Sequence, residues 1–451
     1  MEDLFVIGGG LAGCEAAWQA AKRGLTVRLY EMRPIRPTPA HKTGNLAEIV
    51  CSNSLGSTLP NRSTGTLMHE LQRLDSLLLK CAQESRVPAG HALAVDREKF
   101  SQKVQAALTA CGRIQIVREE ITAIPENLSI LASGPLTSPA LAQSISQLTG
   151  SENLYFYDAV APIVTAESID MTVAYWGSRF GRGEKEEGDY INCPFNSRHE
   201  YEHFVQELIT AERIPLRGFE AEITSGVQAG KGKYFEACLP IEIMAARGKD
   251  TLSYGPLRPL GLRDPRNGGR PYAVVQLRQD DLAGTYFNLV GFQTNLTHSE
   301  QARVFRLIPG LQHAVFVRYG QMHRNTYIYA PDVLKPTLQC RQKPQLFIAG
   351  QISGVEGYLS NIASGLLAGI NAARYFQAKD LIQLPNTTLL GALCEYISTP
   401  NPHHFQPMSA SFRLIPPFEN KIRNKTDRYK AYARRSSSDL NHYLNGFNEA
   451  I

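Results

Sequence analysis

The sequence predicts an α/β protein in which a parallel sheet is assembled from two separated parts of the chain, with an α+β domain inserted between them. Two observations predict this fold class. Residues 4–31 pass from a short apolar run through a glycine-rich turn and an alanine-rich segment to a second apolar run, which is typical of a β-α-β unit. Another apolar run, 346–349, ends at Gly350 and precedes a second alanine- and glycine-rich segment.

The predicted elements follow in order along the chain. Gly24 ends the first helical pattern, because glycine is a common helix terminator. Residues 34–65 are rich in Pro, Thr, Ser, Asn and Gly and predict a long loop, which in a compact domain is usually functional or disordered. The expected strands cover 4–7, 25–31, 114–117 and 128–132, and the expected helices cover 14–23, 65–83, 98–111 and 361–376.

The pattern changes to short strands, turns and polar loops in the middle of the chain, which predicts the inserted domain. We expect a discontinuous nucleotide-binding domain over 1–160 and 330–451, and an inserted substrate domain over 161–329. A basic run near the end of the chain predicts a helix over 419–438.

Composition excludes several classes of protein. The chain has 451 residues, of which 43% are apolar and 20% charged, and this argues against a wholly disordered, collagen-like or disulfide-stapled protein. It has no apolar run of transmembrane length and its first residues lack a signal-peptide pattern, so we expect a cytoplasmic protein. The net charge of +5 permits a nucleic-acid partner without requiring one. The eight cysteines show no zinc-binding spacing, so no metal is expected, and the oligomeric state is left open.

A glycine motif predicts a Rossmann-type dinucleotide site. Gly8 allows a tight turn, Gly10 allows a pyrophosphate to approach the backbone, and Gly13 allows the helix to pack closely on the strand. Glu31 ends the next strand, where a carboxylate accepts hydrogen bonds from a ribose. The predicted loop residues are Gly8, Gly9, Gly10, Leu11, Ala12 and Gly13.

Later segments favour FAD over a nicotinamide as the resident dinucleotide. A strand that ends at Gly350, followed by a small-residue helix, is typical of the second flavin-contacting segment of flavoproteins, and the turn at Gly134 fits the same layout. There is no second glycine motif for a nicotinamide domain. The further candidate cofactor residues are Arg97, Gly134, Gly350, Gln351 and Gly357.

Two cysteines have unusual neighbours. Cys51 lies in the long loop within Cys-Ser-Asn-Ser-Leu, and Cys238 lies within Phe-Glu-Ala-Cys-Leu-Pro-Ile-Glu. Composition alone favours a structural role for each, because scattered cysteines in a reducing compartment are mostly small buried hydrophobic residues. The remaining six are expected to be structural: Cys14, Cys81, Cys111, Cys193, Cys340 and Cys394.

In order along nearly the whole chain, the sequence resembles the folate- and FAD-dependent tRNA (uracil-5-)-methyltransferases, relatives of the glucose-inhibited division protein A family. Two departures from the family pattern are Gly56, where a basic residue is usual, and Leu359-Ser360-Asn361, where Glu-Ser is usual. The segments that carry the resemblance are 8–13, 51–55, 190–194, 235–242, 250–257, 319–326, 350–358 and 405–408.

The resemblance implies methylation of the T-loop uridine of tRNA. Methylenetetrahydrofolate would be the carbon donor, and reduced FAD, regenerated by NADPH or NADH, would carry the methylene and supply the hydride. Because uracil C5 is a poor nucleophile, a thiolate must add to C6 and a base must later remove the C5 proton. The two essential cysteines of the family correspond to Cys238, assigned as nucleophile, and Cys51, assigned as base, although the two roles could be exchanged. Tyr358 is expected beside the flavin ring as a third catalytic residue.

Candidate substrate contacts are Asn53, His323 and Arg324, although the last two also fit an ordinary polar turn. For tRNA, the basic run 421–435 contains Tyr429 and Tyr432, which would suit phosphate contact and base stacking, but a solvated helix face explains the run equally well. Arginines in the inserted domain would add to the tRNA contact: Arg179, Arg182, Arg198, Arg213 and Arg217.

Three other functions are compatible with parts of the sequence. A related flavoenzyme that modifies the wobble uridine of tRNA is longer and has an extra helical domain. A flavin-bound RNA-binding protein without catalysis would not need reactive cysteines. A disulfide reductase would need a closely spaced cysteine pair, which the sequence lacks.

Overall fold

The computed structural model describes residues 3–150, 154–214, 239–400 and 405–446. The strands are β1 (Leu4–Ile7), β2 (Val27–Tyr30), β3 (Ser54–Ser57), β4 (Arg86–Val87), β5 (Ala92–Val95), β6 (Ile114–Val117), β7 (Ser129–Leu131), β8 (Leu154–Ala159), β9 (Ile163–Thr165), β10 (Tyr175–Gly177), β11 (Tyr190–Phe195), β12 (Ala273–Gln279), β13 (Tyr286–Leu289), β14 (Phe316–Arg318), β15 (Met322–Tyr327) and β16 (Leu346–Ile348). The helices, labelled in order among the described residues, are α1 (Leu11–Lys22), α2 (Ser63–Arg73), α3 (Leu77–Glu84), α4 (Arg97–Ala110), α5 (Pro139–Thr149), α6 (Arg198–Thr210), α7 (Ile241–Ala245), α8 (Thr251–Tyr254), α9 (His298–Phe305), α10 (Ala330–Val333), α11 (Tyr358–Phe376), α12 (Leu389–Ser398) and α13 (Lys425–Gly446).

A five-stranded parallel sheet joins the two ends of the chain. Its strand order is β16-β7-β1-β2-β6, so the late strand β16 pairs with β7 beside the first strand. The apolar side chains of these strands are almost fully buried, as expected for a parallel sheet covered by helices. This is the α/β arrangement that the sequence predicts.

The middle of the chain forms a six-stranded antiparallel sheet with its own core. Its order is β10-β11-β12-β13-β9-β14, and α6 packs against it through Phe204, which contacts Phe195 and Phe292. The boundaries of the inserted domain at 161 and 329 stay a prediction.

Helices α1 and α11 pack with their backbones in close approach. A Cβ atom on Gly365 would lie 2.1 Å from the carbonyl oxygen of Ala12, and one on Gly369 would lie 2.4 Å from that of Ala16. Only glycine fits at both positions. The contact position moves by four residues in the same direction along both helices. The two helices therefore run in the same direction and begin at the same edge of the sheet.

Three predicted elements differ from the structure. The expected helix 65–83 is two helices, α2 and α3, separated at Asp75, whose φ of 57° is incompatible with a helix. The expected loop 34–65 contains a short strand, β3. The C-terminal helix begins at Lys425 instead of 419, because the side chain of Asn424 accepts hydrogen bonds from the backbone of Thr426 (2.8 Å) and Asp427 (3.2 Å).

Among the described residues, none of the helices combines the length and the hydropathy needed to cross a bilayer.

Candidate active site

The glycine loop after β1 has the geometry of a dinucleotide-binding turn. Gly8 has a φ of 107°, and a Cβ atom there would lie 2.3 Å from the carbonyl oxygen of Ala132. A Cβ atom on Gly13 would lie 1.8 Å from the carbonyl oxygen of Gly8, whereas one on Gly10 would meet nothing within 4 Å. Gly8 and Gly13 are therefore required by packing, and Gly10 leaves open space for a ligand against the backbone.

Helices α1 and α11 begin without side-chain caps. Their first residues follow Gly10 and Gly357, and neither N-terminus has a capping hydrogen bond from a side chain. By contrast, side-chain oxygens cap six other helices: Ser76, Asp96, Ser138, Ser197, Thr297 and Thr388. The first N–H groups of α1, those of Leu11 and Ala12, therefore remain available to the phosphates of a dinucleotide.

Glu31 lies at the floor of this turn, in a hydrogen-bond network that sequence reasoning missed. Its carboxylate accepts the N–H of Gly9 (3.0 Å) and is bound by Arg33 through Nε (2.9 Å) and Nη2 (3.0 Å). Burial raises the pKa of Glu31, but the hydrogen bonds and charge of Arg33 outweigh it, so the pKa lies below its ordinary value. Arg33 also reaches Glu48 at 3.0 Å. The only sequence signal for Arg33 is its position two residues after the acid.

An open cleft lies beside the glycine loop, with about 670 Å³ of empty space that includes bulk solvent at its mouth. It is lined by the glycine turn, by Glu31 and Arg33, and by the turn at Gly134, which has a φ of 71°. His41 also lines the cleft, and burial together with the charge of Arg33 lowers the pKa of this imidazole to about 4. The open backbone at the start of α1 and the residues that line this cleft fit the adenosine diphosphate part of FAD.

The second glycine segment lies against the beginning of α1. Gly350 has a φ of 80°, a Cβ atom there would lie 2.9 Å from the Cβ of Ala12, and its N–H donates to Ser364 at 2.9 Å. Gln351 donates to Glu356 at 3.1 Å. This placement brings the segment 350–357 to the same edge of the sheet as the glycine loop.

The Cys51 loop, defined here as residues 49–53, is held by three arginines from distant parts of the chain. Arg97 donates to the carbonyl oxygens of Ile49 and Cys51, each at 2.7 Å, and Arg318 donates to that of Val50 at 2.6 Å. Arg278 donates to the side chains of Ser52 at 2.5 Å and Asn53 at 2.7 Å. Each residue of the Cys51 loop therefore accepts a hydrogen bond from a guanidinium group.

Tyr358 connects the Cys51 loop to α11. The N–H of Cys51 donates to the hydroxyl oxygen of Tyr358 at 2.8 Å. Because Tyr358 is the first residue of α11, this bond links the Cys51 loop to a side chain from the beginning of that helix. The structure thus brings together two residues, 307 positions apart in sequence, that were predicted to be catalytic.

Two other predicted residues serve this loop. Asn53 is fully buried, and its amide nitrogen donates to the carbonyl oxygens of Val95 (3.0 Å) and Gln279 (2.9 Å). Arg97, predicted for the cofactor, instead forms an ion pair with Asp280 at 3.0 Å and does not line the 670 Å³ cleft. The hydrogen bonds of both side chains help to hold the Cys51 loop.

The remaining predicted residues lie elsewhere. His323 and Arg324 lie in β15, where they pair with Asp158 and Tyr157 of β8. Cys238 lies outside the described residues, so its role as the nucleophile that acts together with Cys51 stays a prediction.

Most of the other cysteines lie in environments that disfavour a thiolate. Burial raises the pKa of Cys81 to about 11 and that of Cys394 to about 12, and it also raises the pKa values of Cys14 and Cys193. Cys51 differs because it is only partly buried. In the parts of the chain that the structure describes, no group of three or more His, Cys, Asp or Glu residues could hold a metal ion.

The aromatic residues of the basic C-terminal run pack inward. Tyr432 is buried and stacks on Phe418, with ring centroids 5.0 Å apart, and the guanidinium of Arg435 lies 4.3 Å from the Phe418 ring. Tyr429 packs on Phe412 at 5.1 Å. These rings stabilise the attachment of α13, so the expected stacking of a base on Tyr429 or Tyr432 finds no support in the geometry.

Comparison with known proteins places the chain in a family. The family model described as "Glucose inhibited division protein A" matches residues 3–380. A protein of Pelotomaculum thermopropionicum named "Methylenetetrahydrofolate--tRNA-(uracil-5-)-methyltransferase TrmFO" is 54% identical over 439 residues, which cover 97% of each chain. A protein of the same name from Anoxybacillus flavithermus is 52% identical and covers 98% of this chain and 99% of its own.

Among solved structures, Aquifex aeolicus GidA in its form II crystal matches with a TM-score of 0.67 and 15% identity. The match covers 98% of this chain and 73% of that one. It confirms the predicted α/β fold class.

Proposed function

The chain belongs to the glucose inhibited division protein A family, and we propose that it methylates C5 of a uridine in the T-loop of tRNA. Methylenetetrahydrofolate would be the carbon donor, FAD the resident cofactor, and NADPH or NADH the reductant. The observation that carries this proposal is the match, at 54% identity and over 97% of both chains, to a relative named for this reaction. The reaction also suggests the cytoplasm as the location, because tRNA and folate are found there.

The described residues fit the flavin and the thiol chemistry. The uncapped beginning of α1 and the open space at Gly10 suit a pyrophosphate, and the beginning of α11 carries Tyr358 beside Cys51. Bound flavin would supply the reducing equivalents that convert a one-carbon unit to a methyl group.

The protein's own side chains would perform the proton and nucleophile steps. The thiolate of Cys238 would form a bond to C6 of uracil, and this makes C5 nucleophilic toward the one-carbon unit. Cys51 would then accept the C5 proton, after which the bond between sulfur and C6 breaks and the aromatic ring of the base is restored. Tyr358 and the three arginines would keep Cys51 in position for this transfer.

The test is transfer of carbon label from methylenetetrahydrofolate to a tRNA transcript in the presence of NADPH. We expect label in 5-methyluridine of the T-loop with the wild type, and none with Cys51→Ala or Cys238→Ala, although both variants retain flavin absorbance. Cys111→Ala is a matched control, since Cys111 is also partly buried but lies far from the glycine loop in a turn after α4. Label at the wobble uridine, or none from a wild type that binds FAD and tRNA, would contradict the proposal.

We further propose that the inserted domain carries the tRNA. Its loop 258–270 has exposed arginines, and the one acid in it, Asp264, is already paired with Arg266. The side chain of Phe180 beside this loop is 58% exposed, with the guanidinium of Arg182 5.3 Å from the ring. Exposed cations next to an exposed aromatic ring suit RNA phosphates and bases. Arg179, by contrast, points inward and donates to Leu260 at 3.0 Å.

Removing two of these charges should weaken tRNA binding. With Arg263→Gln and Arg270→Gln combined, we expect lower tRNA affinity and a smaller salt dependence, by about two units of slope, because each lost phosphate contact removes about one. The matched control is Lys430→Gln with Arg434→Gln on the exposed face of α13. A larger loss of affinity in the control pair would assign the tRNA to the C-terminal helix instead.

A further inference from the structure

The Cys51 loop is surrounded by more positive than negative charge. Of its three arginines, Arg97 is paired with Asp280, but Arg278 and Arg318 form no ion pair with any other residue that the structure describes. Arg278 is only 8% exposed. Two guanidinium groups are therefore buried or partly buried beside Cys51 without a carboxylate of their own in the part of the chain that the structure describes.

A buried cation without an anion is unfavourable, because it has lost the water that solvates its charge. Burial lowers the pKa of Arg278, and burial together with the neighbouring charge of Arg97 lowers that of Arg318. Neutral oxygen acceptors, such as the carbonyl oxygen of Val50, satisfy the hydrogen bonds but not the charge. An anion at this position would stabilise both arginines.

Cys51 is the group placed to supply that negative charge. Its thiol lies within electrostatic range of all three guanidinium groups, and the same arginines bind the backbone on both sides of it. A thiolate is stabilised by nearby arginines. The titratable groups that face the three arginines are Asp280, Tyr190, Tyr358, His41 and Cys51.

We propose that Arg278 and Arg318 are positioning residues that keep Cys51 as a thiolate before the substrate arrives. The inference rests on the proposed function for its purpose, since a thiolate can accept the C5 proton whereas a thiol cannot. In that step the S–H bond forms, the C5–H bond breaks, and its electron pair stays on the uracil ring. The two arginines act through Cys51 and need not touch the substrate.

The experiment measures the ionisation of Cys51 in the flavin-loaded protein, without tRNA or folate. Iodoacetamide labelling is followed from pH 5 to 10 under reducing conditions on the tryptic peptide 43–62, in which Cys51 is the only cysteine. We expect a wild-type midpoint well below the ordinary thiol value of about 8.5. In Arg318→Gln the midpoint should rise by at least one unit, and labelling at a pH below both midpoints should be about tenfold slower.

Two variants separate charge from folding. Arg318→Lys keeps the charge and should keep the midpoint within about half a unit of the wild type. Arg341→Gln is a matched control, because Arg341 also donates to one backbone carbonyl, that of Ser398 at 3.0 Å, but far from Cys51 in sequence and fold. Circular dichroism and flavin absorbance confirm that each variant is folded and loaded.

A wild-type midpoint near 8.5, or an unchanged midpoint in Arg318→Gln, would overturn the inference and assign the uncompensated charge to an anionic group of the substrates. Neither result depends on methyl transfer, so failure of the proposed function remains distinguishable. A lowered Cys51 midpoint in a protein that methylates no tRNA would support the inference that Cys51 is a thiolate and would contradict the proposed methylation reaction.

Discussion

The glycine loop and the Cys51 loop lie at the same edge of the parallel sheet, but they are built in different ways. The glycine loop is defined by contacts within a few residues, such as Gly13 against Gly8, and by the adjacent strand β7. The Cys51 loop has no regular structure from 49 to 53 and depends on arginines that follow it by 46 to 268 positions. A local motif therefore forms the cofactor turn, whereas the tertiary fold forms the reactive loop.

The largest effect should come from substitutions in the glycine loop, where sterics and ligand approach can be separated. Gly13→Ala forces a Cβ atom to within 1.8 Å of the Gly8 carbonyl oxygen, so we expect loss of flavin and destabilisation by about 3 kcal/mol or more. Gly10→Ala meets nothing within 4 Å and should fold normally, but it should bind FAD more weakly because the methyl group occupies the ligand's space. Urea unfolding and flavin absorbance measure the two effects.

Equal destabilisation by Gly13→Ala and Gly10→Ala would contradict the separation of sterics from ligand approach, because it would mean that Gly10 is also required by packing.

An intermediate effect should come from Asn53, which supports the Cys51 loop from inside the protein. Asn53→Ala leaves the Arg278 guanidinium without its 2.7 Å acceptor and removes two bonds to backbone carbonyls, so we expect about 3 kcal/mol of destabilisation. Flavin binding should change little, since the glycine loop does not depend on Asn53. Asn53→Asp keeps an acceptor for Arg278 and should lose less stability by urea unfolding. If flavin is lost together with stability in Asn53→Ala, the two loops form one cooperative unit.

The same difference explains how much the sequence could predict. The β-α-β unit and the glycine loop follow from local spacing, and Cys51 and Tyr358 were found through family resemblance. Arg278 and Arg318 could not be found, because a lone arginine in a strand carries no sign of which distant loop it will contact. For Arg97 and Asn53 the sequence predicts contacts to the cofactor and the substrate, and these stay predictions; the tertiary structure adds that both side chains form hydrogen bonds within the protein.

The smallest effect should be the pH dependence of stability that His41 contributes in the cleft. The pKa of His41 is lowered from an ordinary value of 6.5 to about 4, so the folded state favours neutral imidazole. The stability that this provides is complete above pH 6.5 and is lost as the pH falls toward 4. Between pH 7.5 and 5.5 the wild type should lose about 1 kcal/mol of unfolding free energy through His41. His41→Gln lacks the imidazole and should not show this loss.

Urea unfolding of both proteins at the two pH values measures that difference directly. Glu31 does not contribute in this range, because its pKa lies below the ordinary carboxyl value and its stabilising effect is lost only at lower pH. Any pH dependence that the proposed thiolate of Cys51 adds is the same in both proteins, so it cancels in the difference between the wild type and His41→Gln. Identical pH profiles for wild type and His41→Gln would mean that solvent reaches the imidazole, and that the cleft is more open than its 670 Å³ suggests.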